Sequence, residues 1–145
     1  MSEYKTIKER EEEITDEFSL FDSWEEKYEY IIDLGKRLEP LEEKYKVEEN
    51  IIKGCQSTVW LTSHYKNGKV FYKADSDAII VKGLISMLIK VLSGHKPDEI
   101  LNTKLDFIRD IGMMTHLAQT RSNGLLSMVK QIKHYALAYK SADAA

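Results

Sequence analysis

The single cysteine of the 145-residue chain stands in Ile51-Ile52-Lys53-Gly54-Cys55-Gln56-Ser57-Thr58-Val59-Trp60. As an exposed thiolate, Cys55 is a nucleophile. Enclosed, it is a small apolar side chain, and the residues themselves leave both roles open. Gly54 allows a sharp turn just before it, which can offer the thiol to a partner at the mouth of a strand. Arg121, in Thr120-Arg121-Ser122-Asn123-Gly124, is the second group of interest. Its guanidinium can lower the pKa of a thiol or pair with Asp75 or Asp77; equally, it can simply hold two loops together. A cysteine hydrolase would need a histidine base. His64, His95, His116 and His134 are the choices, and only His116, in a loop before Arg121, is a candidate. The chain has no HExxH, no glycine-rich phosphate loop and no GxSxG. One cysteine makes no internal disulfide and supplies too few thiolates for structural zinc or an iron–sulfur cluster. A sulfur role would therefore be transient carriage of one atom, and no metal site is expected.

The elements that must position these groups can be read in order. Thr6 to Phe18 reads as an exposed, charged amphipathic helix with Ile7, Ile14 and Phe18 as its apolar points. Ser23 followed by Glu26 has the capping-box pattern. Trp24, Tyr28, Ile31, Ile32, Gly35 and Leu38 follow at helical spacing, with the aromatics as core packing and Pro40 as the stop. Glu39 to Asn50 reads as a loop. Val59-Trp60-Leu61 opens a strand, Asn67-Gly68 marks a hairpin turn, and Val70 to Ala74 is the return strand. Cys55 then lies at the open end of the hairpin, near the acidic loop Asp75-Ser76-Asp77. Ser76 or Asp77 is the expected cap of the next helix. Ala78 to Leu92 is apolar nearly all round and should be the buried central helix, stopped by Ser93-Gly94. Pro97-Asp98-Glu99 opens a short helix. Leu105 to Ile111 gives another short helix, Met113 to Gln119 a loop, and Thr120 onward the last helix, with Leu125, Leu126, Val129, Ile132 and Ala136 as its inner stripe. Ser141 to Ala145 reads as a loose tail.

The composition is that of a folded chain: 43% hydrophobic residues, with seven glycines and two prolines. One domain spanning 1–145 is expected, with its core at about 18–138. A net charge of −3 disfavours nucleic acid binding. The residues from Met1 carry no apolar signal-peptide core, and Ala78 to Leu92 is too short and too interrupted by lysines to span a bilayer. The expectation is a cytoplasmic protein that binds neither membrane nor nucleic acid.

Gly54-Cys55-Gln56-Ser57-Thr58-Val59-Trp60 resembles the signature of the SufE family of sulfur acceptors for cysteine desulfurases. Trp24 to Tyr28 and Tyr30 to Gly35 look like the family's early helix, and Asp75 to Ile85 like its acidic loop and central helix. His116-Leu117 and Thr120 to Leu125 look like the segment before the last helix and the arginine motif. The resemblance covers roughly residues 18 to 138. Where the family often has proline in the arginine loop, this chain has Gln119, so no proline ring presets the start of the helix.

The resemblance implies an α+β fold of SufE/NifU-like type, with a small antiparallel sheet packed against several helices. It implies that Cys55 takes persulfide sulfur from a SufS-like cysteine desulfurase, stimulates that enzyme, and passes the sulfur to an iron–sulfur scaffold complex. Arg121, Asp75, Asp77, Gly54, Gln56 and Ser57 would support it. The chain itself would bind no cofactor; pyridoxal phosphate is expected on the desulfurase. It would be an accessory sulfurtransferase-like carrier without turnover of its own, as a monomer or weak homodimer. The thiol would rest in an apolar shelter with a raised pKa. Alternatives are a sulfur carrier to another thiolation pathway and a desulfurase regulator that transfers nothing.

Overall fold

The computed structural model describes residues 5–144, except the side chains of 119, 120 and 144. The expectation for residues 1–4 and for Ala145 lies outside them. The described residues form seven α-helices around a two-stranded antiparallel sheet, an α+β arrangement.

Helix α1 (Ile7–Ser19) is started by Thr6, which accepts the Glu9 N–H while the Glu9 carboxylate accepts the Thr6 N–H. Two orphan donors are satisfied reciprocally. Ile7, Ile14 and Phe18 lie on one face and are buried, so the core reaches back past residue 18 and α1 is less exposed than its charge suggests. Helix α2 (Trp24–Lys36) has Ser23 as N-cap, its hydroxyl accepting the Glu26 N–H. It stops before Pro40, with Arg37 as C-cap.

Strands β1 (Val59–Lys66) and β2 (Lys69–Ser76) pair in the register Val59 to Ser76 through Lys66 to Lys69. The turn residues Asn67 and Gly68 both have positive φ, 54° and 77°. That hand matches the right-handed twist of paired strands, which is why Asn-Gly is favoured there. Helix α3 (Ile79–Leu92) is buried along most of its length and packs against both α2 and β2. Its N-cap is Ala78, not the expected Ser76 or Asp77. Ser76 Oγ takes the Ala78 N–H, and Asp77 turns back to the cysteine loop.

Helices α4 (Pro97–Asn102) and α5 (Asp106–Asp110) follow. The segment expected to be a loop contains a further short helix, α6 (Met113–His116), entered through Gly112 at φ 74°. Helix α7 (Gln119–Ala144) is the longest. Residues 141–144, expected to be loose, continue it, and Tyr65 donates a hydrogen bond to Asp143. The sheet is fastened to α7 by the Tyr72 hydroxyl on the Ile132 carbonyl (2.7 Å) and by Ser63 against the Tyr139 hydroxyl (2.9 Å). Two 3-10 turns, Glu43–Tyr45 and Glu48–Asn50, lie within the loop that leads to Cys55.

Candidate functional site around Cys55

The cysteine loop is a closed excursion ahead of β1. Its base is fixed where the Ile52 N–H meets the Val59 carbonyl at 2.9 Å and Ile51 pairs with Trp60. Ile52 is buried, so an apolar anchor holds the loop down on one side. The other side is held by the acidic loop after β2. Thr58 N–H donates to Asp77 Oδ1 (3.1 Å), and Ser76 Oγ donates to the Thr58 carbonyl (2.8 Å). Residues 53–58 therefore project as a unit with both ends clamped.

Gly54 has φ 91°, a backbone conformation that L side chains rarely adopt. The turn lays the loop on α7. A Cβ on Gly54 would sit 2.5 Å from Ser127 Oγ, and one on Gly124 would sit 3.5 Å from Cys55 Sγ. The thiol thus rests on the bare backbone of Gly124, with Sγ 3.6 Å from that carbonyl as a weak S–H donor.

Beside the thiol opens a cavity of about 300 Å³. Val81 and Leu84 from α3 and Met128 from α7 give it apolar walls. Gln56, Ser57 and Arg121 stand at its polar side. Cys55 is partly buried, and burial pushes its pKa up from the ordinary thiol value. Burial penalises the charged form, so the resting group is a neutral thiol.

Arg121 is exposed on the first turns of α7 and lines this cavity, yet among the described residues it has no ion-pair partner. Of the alternatives open to Arg121, pairing with Asp75 or Asp77 is not the one seen. Asp75 instead bridges Lys46 (3.0 Å) and Lys82 (3.3 Å), and also accepts the Ser76 N–H. Burial would raise the Asp75 pKa, but the hydrogen bonds from Lys46 and Ser76, together with the charge of Lys82, outweigh it and hold the carboxyl below its usual range. Lys46 also lies over the Trp60 ring. Asp75 therefore braces the approach loop and α3, and Asp77 the loop exit; neither lines the cavity.

No histidine lines the cavity among the described residues. His116 packs edge-on against Trp24 at 3.9 Å, and His64 stacks on Phe71. His95 is buried, with its ring nitrogens facing the Leu92 and Lys5 carbonyls. A Cys–His hydrolase would have no base in place. Nor do three or more His, Cys, Asp or Glu side chains among the described residues cluster as metal ligands.

Sequence reasoning missed the seat of the thiol. Gly124 was visible as a small residue in the arginine motif, but nothing in its spacing says that it faces Cys55. Ser127, Val81, Leu84 and Met128 carried only the signal of helix packing. Lys46 carried none, since its partner Asp75 lies far along the chain.

The arrangement can keep one thiol neutral and partly covered, beside a void lined by apolar walls and an uncommitted guanidinium. Among the described residues no helix is long and apolar enough to cross a membrane. A solution structure of a hypothetical protein from Thermus thermophilus shares the fold: the TM-score is 0.76 at 17% identity, covering 91% of this chain and 96% of that one. An uncharacterized SufE-like protein of Rhizobium meliloti is 38% identical over 130 residues, covering 86% of this chain and 93% of its own. An uncharacterized SufE-like protein of Synechocystis is 37% identical over 127 residues, covering 88% and 80%. A chloroplastic/mitochondrial SufE-like protein 1 of Arabidopsis thaliana is 41% identical over 122 residues, covering 81% of this chain and 33% of that longer one. The SufE model, described as the Fe-S metabolism associated domain, matches residues 12–136, and the chain belongs to the SufE family.

Proposed function

We propose that the chain accepts sulfur on Cys55 from a cysteine desulfurase and hands it to iron–sulfur cluster assembly. The donor carries a persulfide on its own cysteine. The Cys55 thiolate attacks the terminal sulfur of that persulfide. A new S–S bond forms on Cys55, the donor's S–S bond breaks, and the donor cysteine leaves as a thiolate. The terminal hydrogen travels with the transferred sulfur, and no net oxidation occurs. This is ordinary thiol–disulfide exchange applied to a persulfide.

The observation that carries this reading is the seating of a lone, partly buried thiol on Gly124 beside an apolar cavity with room for added sulfur. A resolving cysteine would discharge a persulfide as a disulfide, and this chain has no second cysteine. Shelter slows oxidation of the thiol to sulfinic acid. The same burial raises the thiol pKa, so activation belongs to the complex with the donor and not to the free protein. Arg121 lines the cavity with no ion-pair partner among the described residues, and in this reading its guanidinium stabilises the thiolate when the loop is drawn out.

The test is intact mass after incubation with free cysteine and a cysteine desulfurase from the same organism, without reductant. The expected gain is one sulfur atom, lost in Cys55→Ser. No gain with an active desulfurase and an intact thiol would overturn the reading. Stimulation of the desulfurase that survives in Cys55→Ser would instead make the chain a regulator.

A further inference from the structure

A second cleft, of about 250 Å³, opens on the other side of the cysteine loop. Lys53 forms one wall, two residues before Cys55. Ser127, Lys130, Gln131 and His134 of α7 form the other. No acidic side chain lines it. Lys53 and Lys130 are exposed, and among the described residues neither has an ion-pair partner. The lining sets this cleft apart: the clefts at Lys73 and at Lys8 also carry Glu39 and Glu11, whereas here two lysines share one cleft with no carboxylate to offset them. With Arg121 across the loop, the thiol lies between uncommitted cations on both sides.

The cleft also touches the cysteine loop mechanically. Its wall residue Ser127 is the side chain against which Gly54 packs. One turn before Lys130 on α7, Leu126, expected on the inner stripe of that helix, is instead 54% exposed and leaves an apolar side chain next to the cleft's cation. Clustered charge of one sign beside an exposed apolar residue is how a docking surface steers and fixes a partner of opposite charge.

We propose that this cleft is the docking site for an acidic segment on the surface of the sulfur-donating protein. The inference rests on the sulfur-acceptor reading above and adds the chemistry of the partner's contact. Carboxylates entering between Lys53 and Lys130 would fix the register of the complex. They would also bear on the Gly54–Ser127 contact, which is how docking would reach the thiol.

The experiment measures sulfur loading of Cys55 by intact mass across a series of desulfurase concentrations. It compares wild type, Lys53→Glu/Lys130→Glu, the milder Lys53→Gln/Lys130→Gln, and a charge-matched control, Lys8→Glu/Lys66→Glu, on exposed positions elsewhere. Circular dichroism checks that each variant is folded. The double reversal at the cleft should raise the half-saturating desulfurase concentration by about tenfold or more, the neutral pair by less. The control should stay near wild type. Added NaCl should weaken wild type more than the cleft variants, because the screened attraction is the one they lack.

Equal half-saturation in wild type and the cleft reversal, or an equal loss in the control, would overturn the proposal while leaving sulfur acceptance standing. Competition by inorganic phosphate beyond that of NaCl at matched ionic strength would assign the cleft to a small anion and overturn it too. If wild type takes up no sulfur, the functional reading fails by itself. Titration calorimetry with the same desulfurase then decides the docking claim: binding weakened by the cleft reversal keeps it, and no binding or unchanged binding ends it.

Discussion

Two places in the molecule bring backbones together through glycine, and they are built to different ends. At the crossing of α2 and α3, a Cβ on Gly35 would lie 2.8 Å from the Gly83 nitrogen, and one on Gly83 would strike the Ile31 carbonyl. The two helices are in backbone contact, and Ser86 ties them further by donating to the Leu34 carbonyl at 2.8 Å. At the cysteine loop, Gly124 leaves ordinary van der Waals distance to Sγ, with a cavity beside it and one weak S–H contact beneath it. The first contact is closed and permanent. The second is a seat from which a side chain can be lifted. Small residues make close approach possible in both; what differs is whether packing then fills the remaining space.

The comparison is broken most forcefully at the crossing. Gly83→Ala should cost about 3 kcal/mol or more, because a methyl cannot be accommodated without moving α2. Chemical denaturation measures it; a loss under about 1 kcal/mol would mean that the helices slide freely. Cys55→Ser should do the reverse, abolishing sulfur gain while changing stability by less than about 1 kcal/mol, since the thiol makes a single weak contact.

Gly54→Ala lies between. Its φ of 91° and the nearby Ser127 hydroxyl should cost about 1–3 kcal/mol. The loss should be felt in the loop first, as faster hydrogen exchange at residues 53–58 than in α3. Equal acceleration in both would refute a separately held loop.

Asp75→Asn sharpens the comparison by loosening the brace around the seat. The native Asp75 pKa is lowered, so its ionised form stabilises the fold above the ordinary carboxylate pKa of about 3.9, and that contribution fades as pH falls through the lower native value. Wild type should exceed the variant by about 1 kcal/mol at neutral pH. The gap should close in acid; one that persisted below about pH 2 would point to packing and not to charge.

The smallest effect is expected at Gly124→Ala. Helix propensity favours alanine by up to about 1 kcal/mol, and the new methyl would sit in ordinary contact with Sγ. Iodoacetamide labelling of Cys55 at neutral pH, already slowed by burial, should slow further by less than about tenfold. Faster labelling would mean that the thiol had been expelled from its seat.

Much was settled by sequence alone, wherever the physics is local. Asn67-Gly68 specified the hairpin because only residues tolerant of positive φ fit that turn. The apolar run of α3, broken only by Lys82, Ser86 and Lys90 and by small Gly83, specified a helix buried along most of its length, because little of it could face water. Gly54 beside the lone Cys55 marked the turn, and the motifs from Gly54 to Trp60 and from Thr120 to Leu125 carried the family. Local pattern misled where tertiary contacts govern: Met113 to His116 closes into a helix around the buried Met113, and 141–144 extends α7, with Tyr65 donating to Asp143. Arg121 looked like a partner for Asp75 or Asp77, since opposite charges invite pairing. Only the folded chain shows that Lys46 and Lys82 reach Asp75, that Asp77 is committed to Thr58, and that Arg121 is left at the cavity. The sequence determined that one thiol sits at a turn ahead of a hairpin. The tertiary structure decided that it rests on Gly124 between two clefts, because which surfaces meet depends on contacts between residues far apart in the chain.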